Sequence, residues 1–139
     1  MESKRFRIPS LPPSCNAIYN VIFSQRRVEM KPEVRLWKTQ AKEYIPKISP
    51  LNGSYLFELK VEFYYNFFYK NGKLRKFDSQ NLLKILCDAV AEKCGFNDSL
   101  IKFGAWESYH TTEEGLEYIE VELRQVTNEQ SPQPLKLAS

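Results

Sequence analysis

The sequence predicts an α+β domain, a small mixed β-sheet with two main helices. Two segments place apolar residues at helical spacing, other segments alternate with a period of two, and the order read along the chain is strand, helix, strand, helix, strand, strand. With 139 residues, 42% of them hydrophobic, the chain suffices for one core. One domain over 1–126 is expected, followed by a flexible tail over 127–139.

The opening "RFRIPSLPPS" is a brief strand running into a rigid loop, because its clustered prolines exclude a longer regular element. From Pro32, suited to a first helical turn, "PEVRLWKTQAKEYI" sets Val34, Trp37, Ala41 and Tyr44 or Ile45 on one side; Pro46 and Pro50 end it. "LFELKVEFYY" alternates Phe57, Leu59, Val61 and Phe63 against Glu58, Lys60, Glu62 and Tyr64, the pattern of a half-buried strand. A turn, "KNGK", follows, and then a second helix. Two further strands are expected over 101–109 and 116–124, the latter with Ile119, Val121 and Leu123 inward, joined as a hairpin through 111–115. After Thr127 the sequence "NEQSPQPLKLAS" is too polar to offset its ordering entropy, and a mobile tail is expected.

Composition excludes several classes. No apolar run approaches the roughly 18 residues that span a bilayer, and no apolar stretch follows the charged N-terminus as in a signal peptide. A soluble, intracellular, cytoplasmic protein with no membrane partner is expected. Cys15, Cys87 and Cys94 are too sparse and too unevenly spaced for a disulfide framework or a zinc site. A net charge of +3 permits a polyanionic partner without requiring one.

The chemistry concentrates in "KLRKFDSQNLLKILCDAV". A basic run meets a lone acid, Asp78, suited to cap a helix starting at Ser79 or Gln80. On that helix Leu82, Ile85, Leu86, Ala89 and Val90 form the apolar side, while Asn81, Lys84, Asp88 and Glu92 form the polar one. Gly95 ends it, and Asp98 falls in the turn before the next strand. Taken singly, Asp78 is a cap, Asp98 a turn residue, Lys84 with Asp88 a surface pair, and Lys70, Lys73, Arg75 and Lys76 a solvated turn. The two acids converge only if the returning strand runs beside the helix's start.

Together, "DSQNLLKILCDAV…GFNDSLI" resembles the central motif of the RusA family of Holliday-junction resolvases, in which an aspartate-x-aspartate-asparagine-leucine-x-x-lysine segment leads into a helix and an acidic turn. The N-terminal "LPPSCNAIYN" is similar to that family's proline-proline-serine-x-asparagine loop, and the likeness covers roughly 6–126. The resemblance implies a homodimeric, Mg2+-dependent endonuclease, with Mn2+ as substitute, that nicks four-way DNA junctions symmetrically. It implies metal binding by Asp78, Gln80 and Asp98, catalytic roles for Asp78, Lys84 and Asp98, and a structural role for Asp88. It places DNA contacts at Ser14, Cys15, Asn16 and Ala17, and at Lys73, Leu74, Arg75, Lys76, Phe77 and Asn81.

Gln80 departs from the pattern, standing where the family carries a second metal-binding aspartate. Magnesium takes oxygen ligands but gains most affinity from carboxylates, so the site is weakened although the amide oxygen remains a donor. Asp88, about 15 Å along the helix from Asp78, does not replace it. Nor does Glu107, about 30 Å from Asp98 along an extended strand. Glu107 and Ser108 also stand where a basic residue is usual. Two alternatives stay open: a branched-DNA-binding protein of the same fold that has lost cleavage at Gln80, and an interaction module using the aromatic run Phe63, Tyr64, Tyr65, Phe67, Phe68 and Tyr69.

Overall fold

The computed structural model describes residues 3–13, 19–22, 27–48, 55–76, 78–113 and 116–127; within these the side chains of 19–28, Tyr55, Phe103 and Thr127 are not described. The order of elements is β1 (Ser3–Ile8), β2 (Tyr19–Ile22), β3 (Arg27–Met30), α1 (Pro32–Ala41), β4 (Tyr55–Tyr65), α2 (Ser79–Cys94), a short 3-10 turn (Asp98–Leu100), β5 (Ile101–His110) and β6 (Tyr118–Thr127). Four strands form one mixed sheet in the order β1-β6-β4-β5, and β2 pairs with β3 in a separate antiparallel ribbon. The α+β class expected from the sequence is therefore the observed one, with two helices and a mixed sheet.

Alternation along the strands separates two faces. On β4 the odd-numbered Phe57, Leu59, Val61, Phe63 and Tyr65 are buried, as are Ile119, Val121 and Leu123 on β6 and Phe6 and Ile8 on β1. Both helices add their apolar stripes to this face, Val34, Trp37 and Ala41 from α1 and Leu82, Ile85, Leu86, Ala89 and Val90 from α2. The opposite face carries charges that pair across strands, Arg5 with Glu122 at 2.8 Å and Arg7 with Glu120. There the Tyr109, Tyr64 and Tyr118 rings stack in sequence at 5.1 and 4.5 Å. Among the described residues no helix is long and apolar enough to cross a membrane.

Two expectations need correction, and one element is new. β5 and β6 are not a hairpin: β4 lies between them, pairing parallel to β5 and antiparallel to β6. The linking segment 111–115 is described only through residue 113. The β2–β3 ribbon, with Val21 opposite Val28, was not expected, because strands of four residues give too short an alternation to read. Finally, α1 stops at Ala41 rather than reaching Ile45; residues 42–44 form a turn with Tyr44 49% exposed, and Ile45 packs in the core. A residue before proline is driven out of helical conformation, so Pro46 acts on Ile45 and the last turn opens.

The parallel pairing of β4 and β5 positions the site. A crossover between parallel strands must run back along them, so α2 begins where β4 ends and finishes where β5 starts. Asp78 and Asp98 consequently lie at opposite ends of one strand–helix–strand unit. The Phe57 and Phe96 rings, stacked at 3.9 Å, fasten the lower end of this unit to the core.

Candidate nucleic-acid and metal-binding site

At its first turn α2 starts as the sequence predicts. The Asp78 carboxylate accepts a hydrogen bond from the Asn81 amide at 3.1 Å, satisfying one of the unpaired donors of the helix start. Asp78 and Gln80 are exposed and Asn81 is half-buried. The other end also follows the sequence: Gly95 takes a left-handed φ of 75°, a conformation that costs a residue without a side chain little.

Before α2 the chain makes a tight hairpin over residues 67–75. Tyr69 N–H donates to Lys73 O at 2.8 Å, Arg75 N–H donates to Phe67 O at 2.8 Å, and Gly72 supplies the positive φ of 82° that the turn needs. Arg75 braces this hairpin from within, donating to Asn66 O at 3.1 Å, pairing with Glu117 and lying over the Tyr65 ring. Lys70, Lys73 and Lys76 are exposed, and none forms an ion pair with a described residue. A cleft of about 810 Å³ lies here, lined by residues 9–12, Asn66, Phe68 to Lys70, Arg75, Lys76, Leu82, Glu113 and Glu117. Trp37 N–H donates to Ser10 Oγ at 3.1 Å, tying the proline-rich loop to α1. Thus two segments separated by more than fifty residues in sequence share one concavity. Ser14, Cys15, Asn16, Ala17 and Phe77, expected to contact DNA, lie outside the described residues.

The second half of α2 carries different chemistry. Asp98, in the 3-10 turn that Asn97 caps by accepting from Ser99 N–H at 2.9 Å, lies beside Asp88 of the helix. Burial pushes the Asp88 carboxyl above the ordinary aspartate value, the neighbouring Asp98 carboxyl raises it further, and Lys38 opposes both. Lys38, only 6% exposed, donates to Glu92 Oε1 at 2.6 Å, and Lys42 pairs with Glu92 Oε2 at 2.6 Å. Burial works against the Glu92 charge, but its bonds to Lys38 and Lys42 outweigh it and hold the carboxyl below its ordinary value. Between the acids, burial pushes the Cys87 thiol up to about 12, with help from Asp88 and Asp98, so the thiol stays protonated and unreactive at neutral pH.

Asp98 therefore meets Asp88, and Asp78 stands about 15 Å up the helix from that pair. Metal–oxygen bonds of about 2.1 Å for Mg2+ do not bridge such a gap. Asp78, Gln80 and Asp98 of one chain do not fit a single cation, and among the described residues no three His, Cys, Asp or Glu side chains gather to hold one. Lys84 is exposed on the polar stripe, six residues after Asp78. Sequence reasoning passed over Lys38, Glu92 and the Asp88–Asp98 pair. One signal was present: Lys38 follows Val34 by four residues, which sets a cation on the apolar side of α1.

Comparison with protein-family models gives no match, and comparison with curated protein sequences gives none either.

Proposed function

We propose that the chain is a metal-dependent, structure-selective DNA endonuclease that resolves four-way junctions as a homodimer by paired phosphodiester hydrolysis in recombination and repair. The observation that carries the reading is the shared cleft: residues 9–12, where the proline-proline-serine loop begins, and the basic hairpin that precedes the aspartate motif line one concavity beside Leu82 of α2. Lys70, Lys73 and Lys76 offer exposed ammonium groups to a phosphate backbone, a contribution independent of sequence and steeply dependent on salt. Asp78 and Lys84 stand on the exposed side of the same helix end, where a lysine suits charge developing on a phosphoryl group.

A Mg2+ or Mn2+ shell made of Asp78, Gln80 and Asp98 needs two copies of the chain, since one copy holds Asp98 at the far end of α2. Two copies are also what symmetric cutting requires. The second reading, a branched-DNA-binding protein without cleavage, is favoured by that same separation together with the amide at Gln80.

Cleavage of a labelled four-way junction against linear duplex, in Mg2+ and separately in Mn2+, with Asp78→Asn as control, separates the two. Symmetric paired nicks that vanish in the variant are expected of the endonuclease. Tight junction binding without nicks in either metal identifies the binder.

A further inference from the structure

We infer that the hairpin over residues 67–75 is a stacking platform for unpaired nucleobases, through which the protein recognises the opened bases of a branch point rather than duplex DNA. The inference rests on the nucleic-acid reading above and names the substrate feature that the same cleft takes.

Three large apolar side chains stand out on this hairpin, where an isolated turn is ordinarily polar. Phe68 is 47% exposed, Tyr69 53% and Leu74 67%. Phe68 and Leu74 face one another as a bridged pair across the hairpin, and Phe68 and Tyr69 both line the cleft. Core packing does not account for them, since the buried cluster takes its aromatic residues from the strands and α1. Interleaved with these groups are the exposed cations Lys70, Lys73 and Lys76. Flat rings beside ammonium groups are the combination that binds single-stranded nucleic acid, the rings taking base faces and the cations the backbone. An apolar protein partner has no use for three lysines between residues 70 and 76; a polyanion with flat apolar bases uses both.

The platform is also held in place before any ligand arrives. Phe67 N–H donates to His110 Nδ1 at 3.1 Å, and the same imidazole forms a T-shaped pair with the Phe68 ring, their centroids 5.7 Å apart. Asn66 Oδ1 accepts from Phe68 N–H at 2.9 Å, Asn71 Oδ1 accepts from Lys73 N–H at 3.0 Å, and Arg75 clamps the base of the hairpin to Asn66 and Glu117. Little ordering entropy then remains to be spent on binding. Duplex DNA, whose bases are stacked on one another, offers no free base face to these rings. A branch point, a fork or a single strand does.

The test measures binding by fluorescence anisotropy to a four-way junction, a single-stranded oligonucleotide and a linear duplex, with 2-aminopurine at the branch point as a reporter of stacking. The variants are Phe68→Ala, Tyr69→Ala and the ring-preserving Tyr69→Phe, each checked for an unchanged melting temperature. Each alanine variant is expected to lose about tenfold in affinity for junction and single strand, the worth of one stacked base, and less than twofold for duplex. Tyr69→Phe is expected to bind as the wild type does, and 2-aminopurine emission to be quenched by these two proteins but not by the alanine variants. Wild-type junction binding that survives both alanine variants with the quenching intact removes the platform and leaves the nucleic-acid reading standing. A wild type that binds none of the three DNAs removes both. Conversion of a dimer to a monomer by the alanine variants, seen by sedimentation, would assign the rings to a contact between copies and overturn the inference.

Discussion

The two ends of α2 hold similar numbers of charged groups and treat them in opposite ways. At the N-terminal end Asp78, Lys70, Lys73 and Lys76 are exposed and Lys84 follows them on the open side of the helix. In the C-terminal half Lys38 is buried, Glu92 accepts from two lysines, and Asp88 lies beside Asp98. Charges left in water keep their hydration and attract distant polyanions, whereas charges taken out of water are retained only with partners. Under the proposed function, the same residue types serve recognition at one end, while at the other they join α1 to α2.

The largest effect should come from the exposed end. Replacing Lys70, Lys73 and Lys76 with Gln is expected to lower junction affinity about 100-fold at 0.1 M salt and to reduce the slope of log affinity against log salt by about three. Filter binding over a salt series checks this. An unchanged slope would mean that these ammonium groups meet no phosphates, and the contrast between the two ends would lose its functional half.

Next in size is Glu92→Gln, which leaves buried Lys38 without its closest carboxylate. Removing one partner of a buried pair commonly costs 3–5 kcal/mol, but Glu92 is itself about half exposed and screened, so about 2 kcal/mol is expected. Urea denaturation reads it, and junction affinity should not move. The pH dependence sharpens the point. The folded value of Glu92 is lowered, so its stabilisation is present above the ordinary value of 4.5 and is lost as pH falls through the lowered one. The variant and the wild type should converge in acid.

The smallest effect is of opposite sign. Asp88 is raised above its ordinary 3.8, so its contribution to stability is present below that value and is lost as pH rises through the folded one. Asp88→Asn removes a half-buried charge from beside the Asp98 carboxylate and supplies an N–H to it. A rise in melting temperature of about 2 °C at pH 7, disappearing near pH 3.5, is expected. A fall at pH 7 would show that Asp88 is needed there as an anion, and would move this end of the helix from structure toward chemistry.

Much of the site was legible as local pattern. Asp78 as a cap, Gly95 as a stop and the apolar stripe from Leu82 to Val90 depend on neighbours within a few residues, and each is found as the sequence predicts. What was not legible depends on which strands pair. Periodicity in β5 and β6 says that both are strands, but nothing in it says that β4 separates them. That pairing decides the fate of Asp98: with β5 parallel to β4, the turn carrying it belongs to the end of α2, beside Asp88. The Lys38–Glu92 bond joins residues 54 apart, beyond the reach of any local reading.

Local pattern was enough to set both helices up to the last turn of α1, the buried faces of β4 and β6, the capping of α2 and the basic turn, because backbone preference and alternation act over a few residues. Global packing alone set residues 9–12 and that hairpin around one cleft, parted Asp78 from Asp98 and buried Lys38 beside Glu92. These are long-range contacts, set when the whole core packs at once and the chain selects, among many pairings compatible with the same pattern, the one that buries its apolar faces together.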